Sequence, residues 1–286
     1  MILNETIQVI GEEEGEGEEG LVINTTPSLA SRLNQRADLL RRIFSFHKTR
    51  NPKEYINLRS SSKLFHRALH QPPPLWTSFP CSNHATLQSL VDRLEELRGD
   101  EESSGNVPSV LFIEEGEHRE GFVTMKKPLS IIGAGCGKTT LVGVGLRIEG
   151  NKSDGIVEIE NLKIKGGGGS GLNAYKGMKV IMRGCTVEDC QEFGVVAYEA
   201  DISCDDLQVV GCGESGVYAG NNATITLSGQ GTTIQRNGTN GNSYSYGLTA
   251  YRSSSTIHLV HPLTKEQIST NNGGGGNWGG RRGAIE

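Results

Sequence analysis

A pentapeptide recurs four times in the second half of the chain: GLNAY from Gly171, GVVAY from Gly194, GVYAG from Gly216 and GLTAY from Gly247. Successive copies start 23, 22 and 31 residues apart, and the last interval holds the insertion GTNGNSYS. Side chains within each copy alternate, so Leu172, Val195, Val217 and Leu248 face one way with Ala174, Ala197, Ala219 and Ala250. A second alternating pair recurs as Val157/Ile159, Val180/Met182 and Ile202/Cys204, and a third as Leu162/Ile164, Cys185/Val187 and Leu207/Val209. Cys190, Cys212 and Asn237 fall on one turn position. One lap of three short strands cannot bury its own apolar face. Stacked laps can, with like residues about 4.8 Å above one another. The sequence therefore predicts a mainly β chain built as a parallel three-sheet solenoid of about seven laps, each of about 22 residues.

Composition agrees and narrows the function. Thirty-nine glycines and 6% aromatics imply many turns and a core of small aliphatic groups. A net charge of -5 gives no general attraction to nucleic acid. No apolar run reaches 18 residues, so no membrane span is expected. The opening MILNETIQVIGEEEGEGEEG has neither a basic start nor a long apolar stretch, which reads as no signal peptide and a cytoplasmic or nuclear chain. The six cysteines form no C-x-x-C pair or zinc spacing, so reduced thiols and no metal or other cofactor are expected.

Four regions are predicted. Residues 1–27 are acidic and glycine-rich, a composition of disorder. Residues 28–80 are read as a small all-α module, with Leu29, Leu33, Ala37, Leu40, Ile43 and Phe44 on one helical face and QPPP ending the last helix. Residues 84–265 hold the solenoid, opened by an amphipathic cap helix at 84–98 with Leu87, Leu90, Val91, Leu94 and Leu97 in one stripe. Residues 266–286, rich in glycine, read as a flexible tail. The segment IIGAGCGKTTL (131–141) imitates a nucleotide phosphate loop but is one residue short. A true loop also leads into a helix, and LVGVG after it favours a strand and turn.

Two resemblances follow from these residues. The repeats, with VLFIEEGEHREGFVTMKKPLSIIGAG before them, resemble the right-handed parallel β-helix family with the pectin-lyase-like fold over roughly 85–262. Residues 38–79 resemble an F-box, through Leu39, Leu40 and Ile43 of a first helix, NLRSSSKLFHRAL with Leu58, Leu64 and Phe65, and PPLW with Trp76. That resemblance implies docking of these residues onto a Skp-type adaptor of a ubiquitin ligase. It departs from the family in lacking a Leu-Pro opening and in having Ser61-Ser62 in place of the usual pair.

Many β-helices of this kind act on polysaccharides with outward carboxylates, which here would be Asp201, Asp205 or Asp206. Lap spacing offers a plainer account. Asp201 falls over Lys179, Asp205 over Arg183, Arg183 over Glu160 and Glu188 over Lys165, a pattern of surface charge ladders. The other outward feature is a lateral row of Tyr175, Tyr198 and Tyr251, flanked by Asn173, Tyr218, Asn221 and Arg252. Such a row can bind sugars or peptides, or its rings can simply support one another. The expectation is a non-enzymatic binding protein whose lateral face meets a protein partner and whose helical module meets the adaptor. The alternative is a carbohydrate-active enzyme or a glycan-binding solenoid.

Overall fold

The computed structural model describes residues 76–99, 107–143, 145–151, 155–176, 178–252, 254–280 and 282–286. It is a parallel β-helix. Three sheets of nine, seven and seven strands run its length, and every strand joins its neighbours one lap before and after it. Each lap contributes one strand to each sheet in turn. In the central lap these are Lys179–Arg183, Thr186–Glu188 and Val195–Tyr198. The third sheet, which matters most below, continues on either side with Leu146–Glu149 and Leu172–Tyr175, then Val217–Gly220, Tyr246–Tyr251 and Gly276–Gly279.

The expected register is the observed one. Ala174 pairs with Ala197, Ala197 with Ala219 and Ala219 with Ala250, all fully buried in one interior column. Val157, Val180 and Ile202 form a column in the first sheet, and Ile164, Val187 and Val209 one in the second. The glycine that opens each repeat is explained by crowding. A Cβ on Gly194 would lie 2.2 Å from Cγ1 of Val209 and 2.6 Å from the Gly216 carbonyl oxygen. At the corners between first and second sheets stand Asn161, Gly184, Asp206 and Gly229, all with left-handed backbone (φ 55, 56, 52 and 84). Asparagine, aspartate and glycine are the residues that tolerate this conformation.

The solenoid begins with a cap. Helix α1, Leu87–Gly99, lays Leu87, Leu90, Val91 and Leu94 on the first lap. The Gln88 side-chain amide then behaves as a strand would. It accepts from the Thr124 N–H (2.6 Å) and donates to the Thr124 carbonyl (3.2 Å), satisfying an edge that would otherwise be open. Glu95 accepts from the N–H groups of Lys126 (2.5 Å) and Lys127 (3.1 Å) in the same way. The phosphate-loop lookalike is strand, turn, strand: Ser130–Gly133 and Thr139–Val142, with Lys138 paired to Glu115 at 3.2 Å.

Two boundaries differ from expectation. Trp76, assigned from sequence to the helical module, opens the strand Trp76–Phe79, which pairs with Val110–Ile113 in the first sheet. Residues 266–286 are not a loose tail. Helix α2 (Lys265–Ile268) and strands Ser269–Thr270, Gly276–Gly279 and Ala284–Ile285 continue all three sheets. Its glycines are there for close approach, since a Cβ on Gly279 would meet Cε1 of Tyr246 at 2.4 Å and one on Gly280 the Ala250 carbonyl at 1.9 Å. Composition alone reads such glycines as freedom, whereas here they allow contact. Leu39, Leu40, Ile43, Leu58, Leu64 and Phe65 of the F-box-like segment lie outside the described residues.

Candidate functional site

The outward side chains of the third sheet form two columns. One holds Glu149, Tyr175, Tyr198, Gly220 and Tyr251; the other holds Arg147, Asn173, Val196, Tyr218 and Thr249. The first column lacks a ring at Gly220, and the second supplies it. The Tyr218 ring leans across until its Cε1 would be 2.7 Å from a Cβ on Gly220. The result is a continuous ladder. Ring centroids are 5.6 Å apart for Tyr175 and Tyr198, 5.6 Å for Tyr198 and Tyr218, and 6.3 Å for Tyr218 and Tyr251. Phe193 joins it at 4.9 Å from Tyr218. Arg147 lies over the Tyr175 ring (5.1 Å) and Arg252 over the Tyr251 ring (5.8 Å), so a guanidinium closes each end.

Beside the C-terminal half of the ladder is a cleft of about 560 Å³. Its floor is Tyr218, Thr249 and Tyr251. Its walls are Phe193 and Glu214 on one side, the inserted loop with Tyr244 and Tyr246 on another, and Gly280 of the last lap. The loop is held by buried hydroxyls: Ser215 Oγ and Thr249 Oγ1 share a hydrogen bond of 2.8 Å, and the Tyr246 N–H donates to Ser215 Oγ at 3.0 Å. Tyr246 is clamped by Gly275 and Gly279, whereas Tyr244 is 80% exposed at the mouth.

Electrostatics mark the same place. Burial, and then the neighbouring Glu192, push the Glu214 carboxyl above its usual range. Burial and then the surrounding tyrosines push Tyr198 up to about 12, and burial followed by Tyr251 raises Tyr218. These phenols therefore keep their protons at neutral pH and remain hydrogen-bond donors. Glu192 and Glu214 were missed in the sequence. The available signal was their shared place two residues before the repeat glycines Gly194 and Gly216.

The other sequence candidates fall elsewhere. Asp201 and Asp205 lie on a first-sheet strand, in register with Lys179 and Arg183 as the ladder reading requires. Asp205 accepts from Ser228 Oγ at 2.9 Å. Asp206 is a left-handed corner residue whose carboxylate accepts from the Gly231 N–H at 2.8 Å, so its role is to hold a turn. None of the three lines the cleft. Arg183 pairs with Glu160 at 2.7 Å, and Glu188 with Lys163 at 2.9 Å and Lys165 at 2.8 Å. Of the lateral set, Tyr175, Tyr198, Tyr218 and Tyr251 come together. Arg252 closes the end of the ladder, Asn173 is buried beneath the aromatic layer, and Asn221 is a left-handed corner residue (φ 54).

Among the described residues, no group of three or more His, Cys, Asp or Glu could hold a metal ion. No helix among them is long and apolar enough to cross a membrane. All six cysteines are free.

No curated protein matches the chain. Among solved structures, one similar chain is the catalytic domain of a GH87 alpha-1,3-glucanase D1069A in complex with tetrasaccharides, at 18% identity and a TM-score of 0.40. The likeness covers 73% of this chain and 40% of that one, so this chain spans less than half its length. Residues 142–281 match the family model for the right handed beta helix region. These are the laps that carry the ladder and the cleft, and the stacked parallel sheets support the same family.

Proposed function

We propose that the chain is a carbohydrate-binding β-helix whose third-sheet cleft takes up a glycan chain. The observation that carries this reading is the tyrosine ladder running directly into a cleft walled by further aromatic rings. Sugar rings present apolar C–H faces and polar rims. Aromatic faces with protonated phenols at their edges match both, giving stacking area and donors together. The ladder repeats once per lap, with ring centroids 5.6, 5.6 and 6.3 Å apart, which suits a linear polymer lying along the solenoid axis. The Asp201, Asp205 and Asp206 chemistry does not enter, because all three lie off the cleft, with Asp205 engaged by Ser228 and Asp206 by the Gly231 N–H.

The test is retention on a panel of insoluble polysaccharides, with the wild-type chain against Tyr218→Ala and Tyr251→Ala. Retention on at least one polymer, reduced about tenfold in each variant, is expected; tenfold corresponds to about 1.4 kcal/mol, within what one stacked ring supplies. Equal behaviour of wild type and variants on every polymer would end this reading. The adaptor-docking role of residues 28–80 is a separate proposal that rests on the sequence resemblance. It is tested by co-purification with a Skp-type adaptor, which Leu40→Asp is expected to abolish.

A further inference from the structure

Resting on the glycan reading, we propose that the cleft selects a cationic glycan: a polymer of amino sugars with free, protonated amino groups, held with an ammonium among Phe193, Tyr218, Tyr246, Tyr251 and the Glu214 carboxylate.

Three observations carry it. The first is the lining. Five aromatic rings surround one carboxylate in a cleft of about 560 Å³. Ring faces are negative and attract cations, and the pull strengthens where water is excluded. A neutral sugar can donate hydroxyls to that partly buried carboxylate, whereas an ammonium both offsets its charge and meets the negative ring faces around it.

The second is the ladder's own behaviour. The protein already places a guanidinium on each terminal ring, Arg147 on Tyr175 and Arg252 on Tyr251. A cation also lies over an aromatic ring on the last lap, Lys265 over Trp278 at 5.6 Å, although Trp278 is in register with the inward Leu248. Tyr218, between Tyr198 and Tyr251, faces the cleft instead.

The third is charge. Glu192 and Glu214 occupy equivalent places on successive laps, joined through the Glu214 N–H and Glu192 carbonyl at 3.0 Å. Other solenoid glutamates do have cation partners, as Glu188 has Lys163 and Lys165 and Glu160 has Arg183. Here the two glutamates repel each other. The Glu192 carboxylate accepts from a neutral hydroxyl, Ser170 Oγ, at 3.3 Å. Arg252 is the positive group felt at Tyr218, and it lies toward Tyr251. An ammonium between Glu214 and the rings relieves the repulsion and fills the cleft.

A pair of ligands with one backbone separates this from stacking alone. Glucosamine oligomers carry ammonium groups, while the N-acetylated oligomers are neutral. Calorimetric titration of the full chain is run at about pH 6 and again at about pH 7, because burial raises the Glu214 carboxyl above the ordinary carboxylate range. The glucosamine hexamer is expected to bind at least about tenfold more tightly than the acetylated hexamer. Glu214→Gln is expected to erase that preference, bringing the two hexamers to within about twofold of each other, and a thermal melt checks that it folds. Equal affinity for the two hexamers, or a preference unaffected by Glu214→Gln, overturns the cationic inference and leaves the glycan reading intact. Oligolysine binding as tightly as the glucosamine hexamer also overturns it, since the site would then read charge and not sugar. No binding of any glycan, here and on the polysaccharide panel, removes both.

Discussion

Two glutamates at different places on the solenoid, Glu188 and Glu214, show how much position decides. Glu188 donates nothing and accepts from Lys163 and Lys165, whose hydrogen bonds hold its carboxyl below the usual range. Glu214 is raised by burial and by Glu192. The two therefore act on stability with opposite sign. For Glu188, the folded value lies below the unfolded one, so its contribution is present above the ordinary carboxylate value and is lost as pH falls through the folded value. For Glu214, the folded value lies above, so its contribution is full below the ordinary value and is lost as pH rises through the folded one. Melting curves from about pH 4 to 8 should show Glu188→Gln less stable than wild type at neutral pH and Glu214→Gln more stable, both differences shrinking toward acid. The same sign for both would contradict the charge environments described here. Gly194 is a residue-scale case without charge. Its missing Cβ leaves room for Val209, so Gly194→Ala forces backbone and a core valine apart. A loss of about 1–3 kcal/mol in denaturant unfolding is expected, the usual range for overpacking.

At the scale of elements, the ladder is built by exchange between two columns. Gly220 leaves a gap and Tyr218 fills it from two residues away, linking Tyr198 to Tyr251. Each ring pair is worth about 0.5–1.5 kcal/mol beyond its buried area. Gly220→Ala, whose new Cβ would sit 2.7 Å from the Tyr218 ring, should push that ring out of line. The expected result is a glycan affinity lowered several-fold with only a small shift in melting temperature. An unchanged affinity would show that the ladder supports the sheet and nothing more. The strand pattern itself was readable, because alternation places Leu172 and Ala174 inward whatever the neighbours are. The ladder was only half readable. Tyr175, Tyr198 and Tyr251 stand in one sequence column, but the crossing of Tyr218 depends on a side chain bending toward empty space in the next lap.

Over the whole molecule, stability is shared between neighbouring laps, as expected of a stacked repeat. The ends are finished differently. At the first lap, Gln88 and Glu95 of α1 satisfy strand-edge amides. At the last, an asparagine ladder takes over from the thiols: Asn237 accepts from the Cys212 N–H at 3.0 Å and donates to Asn272 at 3.1 Å. Native-state hydrogen exchange should therefore rank the amides by lap. Slowest exchange is expected in the middle laps, at Leu172, whose amide donates to the Gly194 carbonyl (3.0 Å), and Val195, whose amide donates to the Gly216 carbonyl (2.9 Å), and fastest at Ala284 and Ile285 in the two-residue final strand. Uniform protection along the axis would instead mean that the laps open as one unit.

The repeat period, the inward columns, the charge ladders of Lys165, Glu188, Arg183 and Glu160, and the cap helix all follow from the sequence, because each depends on spacing along the chain and on a lap of nearly constant length. The cleft does not. It needs the inserted loop to fold back over Thr249, the glycines of residues 273–283 to press against Tyr246 and Ala250, and Glu192 to stand beside Glu214. Those are distances between laps and loops that no spacing rule contains. Glycine shows the division most plainly: the sequence says where side chains are missing, and only the three-dimensional packing says whether that absence leaves the backbone free or lets something else come close.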